Sequence, residues 1–311
     1  MVISYKPANT EAHQTWPVRT AYKGRFAPSP TGPLHFGSLL AALASFLDAR
    51  KNQGIWLVRM EDLDPPREIP GAADQILRTL EQFGLLWDQQ VIYQSDRYQT
   101  YQAIIDQLLK AGHAYYCSCS RQMIAQRGGV YDGYCRSRQS HLHGITAIRL
   151  KTDNCAITFK DQIQGPQRQQ LSPYCGDFVI RRKDKLYAYQ LAVVCDDAAQ
   201  GISHIVRGSD LLDSTPRQLY LQQLLGYQQP CYAHIPIMVN SQGQKLSKQT
   251  FATALDPLHP EKKLYQALKV LGQQPPTALQ GAPIDNILDW AIENWSLGAV
   301  PSRLTVEQQE I

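Results

Sequence analysis

Residues 25–50 read RFAPSPTGPLHFGSLLAALASFLDAR, and their reading decides the fold. Arg25, Phe26 and Ala27 read as the end of a strand. Residues 28–33 hold a Ser-Pro pair, two further prolines and a glycine, which demands a tight loop. From Leu34 a helical pattern begins: Leu39, Leu40, Leu43, Phe46 and Leu47 recur at spacings of three and four. Strand, tight loop and buried helix make the first half of a parallel β-α-β unit. The helix start exposes unpaired N–H groups and a partial positive charge, which suits phosphate. His35 adds a donor there or caps the helix, and Gly37 lets a ligand approach the backbone.

Working outward, residues 1–22 read as a loose polar extension without an apolar signal core. Ile55 to Met60 is a short apolar run, the second buried strand, and Glu61-Asp62-Leu63-Asp64 follow it. Ligands bind at that edge of open α/β sheets, so these carboxylates are candidate contacts. Helical patterns span Ala72 to Phe83, ended by Gly84, and Tyr98 to Leu109, ended near Gly112. From Tyr115 to about Tyr187 the pattern shortens into strands and turns, which reads as an insertion. The parent pattern resumes at Tyr187, with a strand over Ile202 to Val206 and a helix capped by Thr215 with Pro216 at its first position. Ile235 to Val239 leads to Gln244-Lys245-Leu246-Ser247-Lys248-Gln249, where two lysines flank a small hydroxyl residue; alone this reads as a solvated loop. Residues 251–311 carry two helical patterns, one around Leu264, Leu268 and Leu271.

With 311 residues the chain can bury a full core and hold two domains. The net charge of +4 is compatible with a polyanionic partner without demanding one. Arg181-Arg182-Lys183-Asp184-Lys185 reads equally as a solvated hairpin or an RNA contact. No apolar run approaches the ~18 residues that span a membrane, so the expected location is the cytoplasm. Seven cysteines, an odd number, argue against a complete disulfide framework. Three of them, Cys117, Cys119 and Cys135, fall within 19 residues beside a Gly-Gly turn. They are reduced buried thiols or zinc ligands, with His113, His141 and His143 competing for a fourth position.

Together PSPTGPLHFG (residues 28–37) and KLSK (residues 245–248) resemble the two signatures of class I aminoacyl-tRNA synthetases, in their glutamyl branch. The resemblance covers roughly Lys23 to Phe251. It implies an α/β fold, a Rossmann-type nucleotide-binding domain with an inserted zinc-binding α+β subdomain and a short helical C-terminal region. The implied division is an extension over 1–22, the first catalytic half over 23–112, an acceptor-type insertion over 113–186, the second half with its KLSK loop over 187–250, and a helical region over 251–311. The implied reaction activates L-glutamate with ATP and Mg2+, then passes the acyl group to RNA. His35, Lys245 and Lys248 would be catalytic, and His35, Gly37, Ser38 and Lys248 would meet ATP. Glutamate carries two carboxylates and an ammonium, so its site needs arginines and an acid. By resemblance those residues are Arg25, Phe26, Ala27, Pro28, Ser29, Glu61, Tyr189 and Arg207. A short relative in this branch uses Cys-x-Cys, Tyr and Cys as zinc ligands, which here are Cys117, Cys119, Tyr131 and Cys135.

Synthetases that charge tRNA(Glu) continue well past the lysine loop into an anticodon-binding region. Residues 251–311 are too few for one, so the chain more closely resembles short paralogues that glutamylate the queuosine base of tRNA(Asp) at the wobble position. Activation in such paralogues needs no tRNA. A monomer is expected. The other readings are a short synthetase charging tRNA(Glu) and a catalytically silent RNA-binding paralogue. The joint presence of His35, Glu61, Arg207 and Lys248 speaks against the silent one.

Overall fold

The computed structural model describes residues 21–138, 144–240, 242–245, 254–255 and 258–307. Strand β1 (Lys23–Phe26) feeds through the proline-rich loop into helix α1 (Phe36–Lys51). Leu39, Leu40 and every residue from Ala42 to Ala49 are buried, because this helix is apolar on all sides. It lies between the strands and two C-terminal helices. Strand β2 (Ile55–Met60) then runs parallel to β1, with Arg25 opposite Leu57 and Phe26 opposite Val58. Helix α2 (Ala72–Gln82) leads to the short strand β3 (Ile92–Tyr93), parallel to β2, and on to α3 (Tyr98–Lys110).

The insertion opens with β4 (Ala114–Cys117) and α4 (Arg121–Gln126), followed by β5 (Ala147–Leu150), β6 (Ala156–Asp161), β7 (Gly165–Gln170), α5 (Leu171–Tyr174) and β8 (Phe178–Arg181). β4, β5 and β8 form an antiparallel sheet, and β6 and β7 form a separate hairpin. Helix α6 (Tyr189–Gln200) returns the chain to the parallel layer, where β9 (His204–Gly208), α7 (Thr215–Leu225) and β10 (Cys231–Ile235) follow. β9 and β10 are parallel, and the β9 side abuts β1, where Ser203 N–H donates to Lys23 C=O at 2.9 Å. The parallel order is thus β3-β2-β1-β9-β10, a doubly wound arrangement.

Pro236 has no N–H to give, and the run from Ile235 to Val239 breaks there into β10 and β11 (Ile237–Val239). After α8 (Pro260–Val270) and α9 (Ile284–Asn294) a third C-terminal element appears that periodicity did not reveal, β12 (Thr305–Glu307). It pairs in parallel with β11, just ahead of the lysine loop. The Asp48 carboxylate on α1 accepts from the Trp295 indole at 2.9 Å and from the Tyr22 hydroxyl, tying the start and end of the described chain to the central helix. Thr215 departs from its expected role. It is the first helical residue of α7, Ser214 holds the cap position, and the Thr215 hydroxyl turns to Arg207 instead.

Two large apolar cores result. One surrounds α1 and includes the C-terminal helices. The other joins α3, α6, α7 and β9 to the insertion through Ile148, Leu150, Phe178 and Ile180, so the insertion shares its core with the catalytic layer. Tyr115, Cys117, Cys119, Tyr131 and Cys135 form a small cluster apart from both.

Candidate active site

Strands β1, β2 and β9 deliver Arg25, Arg59 and Arg207, and Glu61 follows directly after β2. Arg59 is fully buried and acts as a hub. Its Nη1 donates to Asp197 Oδ1 at 2.8 Å and to Gln200 Oε1 at 2.7 Å, and its Nη2 to Glu61 Oε1 at 3.4 Å. Arg25 meets the same Asp197 from the other side, Nε to Oδ1 at 3.1 Å and Nη2 to Oδ2 at 3.4 Å. The neighbouring Asp196 faces a different way, accepting from Gln94, Arg97 and Tyr101. Burial pushes the Glu61 carboxyl up to about 7, although the Arg59 and Arg25 guanidiniums pull it down. Asp197 is buried too, yet the same two guanidiniums hold it below the usual carboxylate range. Glu61 N–H donates to Pro28 C=O at 2.9 Å, which fixes the proline-rich loop against the acid.

On β9, Arg207 is 5 % exposed. Its Nη2 donates to Thr215 Oγ1 at 2.9 Å and Gln218 Oε1 at 2.7 Å, and its Nη1 approaches the Tyr189 hydroxyl at 3.4 Å. Burial raises the Tyr189 phenol above its ordinary value while the Arg207 charge opposes the rise, and the Glu61, Arg25 and Asp197 charges also reach it. Of the expected loop residues, Phe26 points into the core and stacks on Trp56, with ring centroids 6.5 Å apart, so only its backbone can face a ligand. Ala27 and Pro28 are half-buried and Ser29 is exposed.

His35 caps α1: its Nδ1 accepts from Ser38 N–H at 3.2 Å, so a neutral ring carries its proton on Nε2. A Cβ on Gly37 would sit 3.2 Å from that ring, so the glycine makes room for the imidazole as well as for any ligand. Lys245 Nζ pairs with Asp210 Oδ2 at 2.6 Å, three residues beyond Arg207. Lys248 lies outside the described residues.

The cysteine cluster is built from β4 and the loop after α4. The sulfurs of Cys117, Cys119 and Cys135 all lie within 4.8 Å of one another and are buried. Cys119 and Cys135 sulfurs are 3.5 Å apart, and the Tyr131 hydroxyl is 3.2 Å from Cys117 Sγ and 3.9 Å from Cys119 Sγ. A tetrahedral zinc with bonds of about 2.3 Å needs sulfurs about 3.8 Å apart, which this spacing fits. Arg149 Nε donates to Cys117 Sγ at 3.3 Å, and its guanidinium lies 3.9 Å from the Tyr131 ring centroid. Burial, with the Cys135 and Cys117 sulfurs alongside, pushes the Cys119 thiol up to about 11, and a divalent cation would reverse that push. His113 is exposed and outside the cluster, and His141 and His143 lie outside the described residues.

Residues 21–268 match the family model for tRNA synthetases class I (E and Q), catalytic domain. A relative from Ectopseudomonas mendocina named Glutamyl-Q tRNA(Asp) synthetase is 52% identical over 294 residues, 94% of this chain and 100% of that protein. The chain belongs to the glutamyl-Q tRNA(Asp) synthetase family. A second relative of that name, from Pseudomonas aeruginosa, is 51% identical over 94% of this chain and 99% of its own length. The crystal structure of a glutamate tRNA ligase from Elizabethkingia meningosepticum, in complex with its amino acid, superposes with a TM-score of 0.77 at 25% identity, covering 93% of this chain and 67% of that one. The glutamyl-Q tRNA(Asp) synthetase family thus shares the α/β fold of class I glutamyl synthetases.

In this family member Arg25 and Glu61 are linked through Asp197 and Arg59, and Tyr189 meets Arg207, as sequence spacing alone could not show. Sequence reasoning missed Arg59 and Asp197. Both carried a signal: an arginine inside the apolar strand IWLVRM and an acid ending the apolar run LAVVCDD must find buried partners.

Proposed function

We propose that the chain activates L-glutamate with ATP and transfers it to the queuosine base at the wobble position of tRNA(Asp), without RNA for the first step. The observation that carries this reading is a pair of buried guanidinium clusters, Arg25 and Arg59 on Asp197 and Glu61 and Arg207 beside Tyr189, in a chain that is 52% identical to a named glutamyl-Q tRNA(Asp) synthetase. A carboxylate oxygen of glutamate attacks the α-phosphorus of ATP, pyrophosphate leaves, and a hydroxyl of the queuosine cyclopentenediol then displaces AMP from the acyl carbon.

Arg207 with Tyr189, and Arg25 with the Ala27–Ser29 backbone, would hold the two carboxylates, while Glu61 takes the ammonium. His35, Gly37 and Ser38 at the α1 N-terminus would meet the phosphates, where N–H groups and the helix dipole favour negative charge. Lys245 and Lys248 would neutralise the phosphate charge that builds in the transition state. Cys117, Cys119, Tyr131 and Cys135 would hold one structural zinc, with no position left open for chemistry. The division at residues 22, 112, 186 and 250 belongs to the same proposal, as does action as a monomer.

The test is glutamate-dependent exchange of labelled pyrophosphate into ATP by the full chain with no RNA present. Exchange is expected. Its absence with folded protein, with or without RNA, would point to a silent binding paralogue.

A further inference from the structure

Arg207 has neighbours whose chemistry goes beyond filling space. Its Nε donates to His234 Nε2 at 3.0 Å. On the far side of the ring, His234 Nδ1 lies 2.6 Å from Asp161 Oδ2. His234 and Asp161 have fully buried side chains. Asp161 Oδ1 accepts in turn from the N–H groups of Ile163 at 3.0 Å, Gln164 at 2.8 Å and His234 itself at 3.2 Å. Those amides favour an ionised carboxylate, and an ionised carboxylate can only accept. Asp161 therefore fixes the proton on Nδ1, and Nε2 is left as the acceptor that Arg207 needs.

We infer that Asp161 and His234 are positioning residues for glutamate binding: they lock Arg207 by its Nε edge and leave Nη1, beside Tyr189, facing the substrate. The inference rests on the reading of Arg207 as a glutamate contact. Two sides of the guanidinium are already committed. Nε goes to His234, and Nη2 goes to Thr215, Gln218 and, at 3.4 Å, Leu211 C=O. Nη1 has one long contact, the Tyr189 hydroxyl at 3.4 Å. The Tyr232 ring centroid lies 5.2 Å from the guanidinium carbon and stacks within 6° of the His234 ring, so the plane of the group is held too. A ligand arginine held this way loses little freedom on binding, which is where preorganisation gains affinity.

The relay also has a place in the architecture. Asp161 ends β6, at the turn of the inserted hairpin, while His234 and Arg207 are paired neighbours on the parallel strands β10 and β9. Gln162 N–H donates to Tyr232 C=O at 2.8 Å, docking the hairpin on β10. The insertion therefore supplies the outermost member of a chain that ends at Arg207. Burial first, and the Arg207 charge after it, lower the His234 imidazole to about 4 against the pull of Asp161. The ring stays neutral across the working range, as an acceptor must.

The test uses the full chain and steady-state pyrophosphate exchange, varying glutamate and ATP separately. His234→Phe removes both relay bonds and is expected to raise the glutamate KM about 10-fold or more, with the ATP KM nearly unchanged. His234→Gln, whose carbonyl oxygen can stand in for Nε2, is expected to recover most of that loss. A folded His234→Phe protein with an unaltered glutamate KM would overturn the inference, as would equal rises in both KM values. Where His234→Phe does not fold, the wild-type protein is read by nitrogen-15 NMR of the imidazole. The Nδ1–H tautomer, unprotonated from pH 5.5 to 8, is expected, and an Nε2–H tautomer overturns the relay. Failure of the glutamate-activation reading looks different: the wild-type chain itself would show no glutamate-dependent exchange.

Discussion

At the scale of single residues, Glu61 makes the sharpest statement. In the proposed role its carboxyl must be ionised to receive the ammonium of glutamate, and burial raises it to about 7. Below that value the free enzyme carries a neutral Glu61, and glutamate binding must expel a proton. The expected result is a kcat/KM for glutamate that falls about tenfold per pH unit below about pH 7 and levels off above it; the profile of pyrophosphate exchange from pH 5.5 to 8.5 measures this. A flat profile from pH 5.5 to 8.5 would contradict a raised Glu61 carboxyl that must ionise for binding. Arg59 makes a second statement. Arg59→Met leaves Asp197 and Glu61 buried with one guanidinium in place of two, and should cost about 3–5 kcal/mol of stability, read from denaturant unfolding. A loss under about 1 kcal/mol, the worth of an exposed pair, would contradict its role as hub. The presence of a charge in IWLVRM was legible in the sequence, but its partner was not. Arg59 and Asp197 are 138 residues apart, and no local period links them.

At the scale of elements, glycines and caps decide geometry. Gly176 has φ +58° and a Cβ there would lie 2.1 Å from the Tyr131 carbonyl oxygen. Gly176→Ala must displace the Tyr131 backbone and with it the ligand cluster, and metal content measured by atomic emission should fall well below the one zinc per chain expected of the wild type. Cys119→Ser should do the same; full metal content in Cys119→Ser would remove that residue from the ligand set. At the helix start, Gly37→Ala places a methyl 3.2 Å from the His35 ring and should weaken ATP more than glutamate in the exchange assay. Equal effects would separate His35 from the phosphates. The strand-loop-helix of residues 23–51 and strand β2 were legible because strong apolar patterns and proline punctuation mark them. Strand β12 was not, because three residues carry no measurable period and its pairing with β11 is set by the fold. The Thr215 cap was misread for a related reason. A hydroxyl before Pro216 has the right chemistry for capping, but the buried Arg207 competes for it and wins.

At the scale of the whole molecule, the insertion is part of the catalytic body and not an attachment. It shares an apolar core with α3, α6 and β9, reaches Arg207 through Asp161 and His234, and touches the β2 acid cluster through Arg182 and Asp64 at 3.4 Å. Lys183 Nζ donates to Ser118 C=O at 2.7 Å, so the basic hairpin after β8 also holds the cysteine cluster. The family and its α/β fold were legible from two motifs at either end of the catalytic region, the first of which, residues 28–37, encodes a tight loop and a helix start. The wiring between insertion and pocket was not, because it joins residues through packing alone. What the body glutamylates is the central claim. The direct measurement is transfer of labelled glutamate, with ATP, to three RNAs: tRNA(Asp) bearing queuosine, tRNA(Asp) lacking it, and tRNA(Glu). Label on the queuosine-bearing tRNA(Asp) alone is the predicted result. Label on tRNA(Glu), or on tRNA(Asp) without queuosine, would contradict the account.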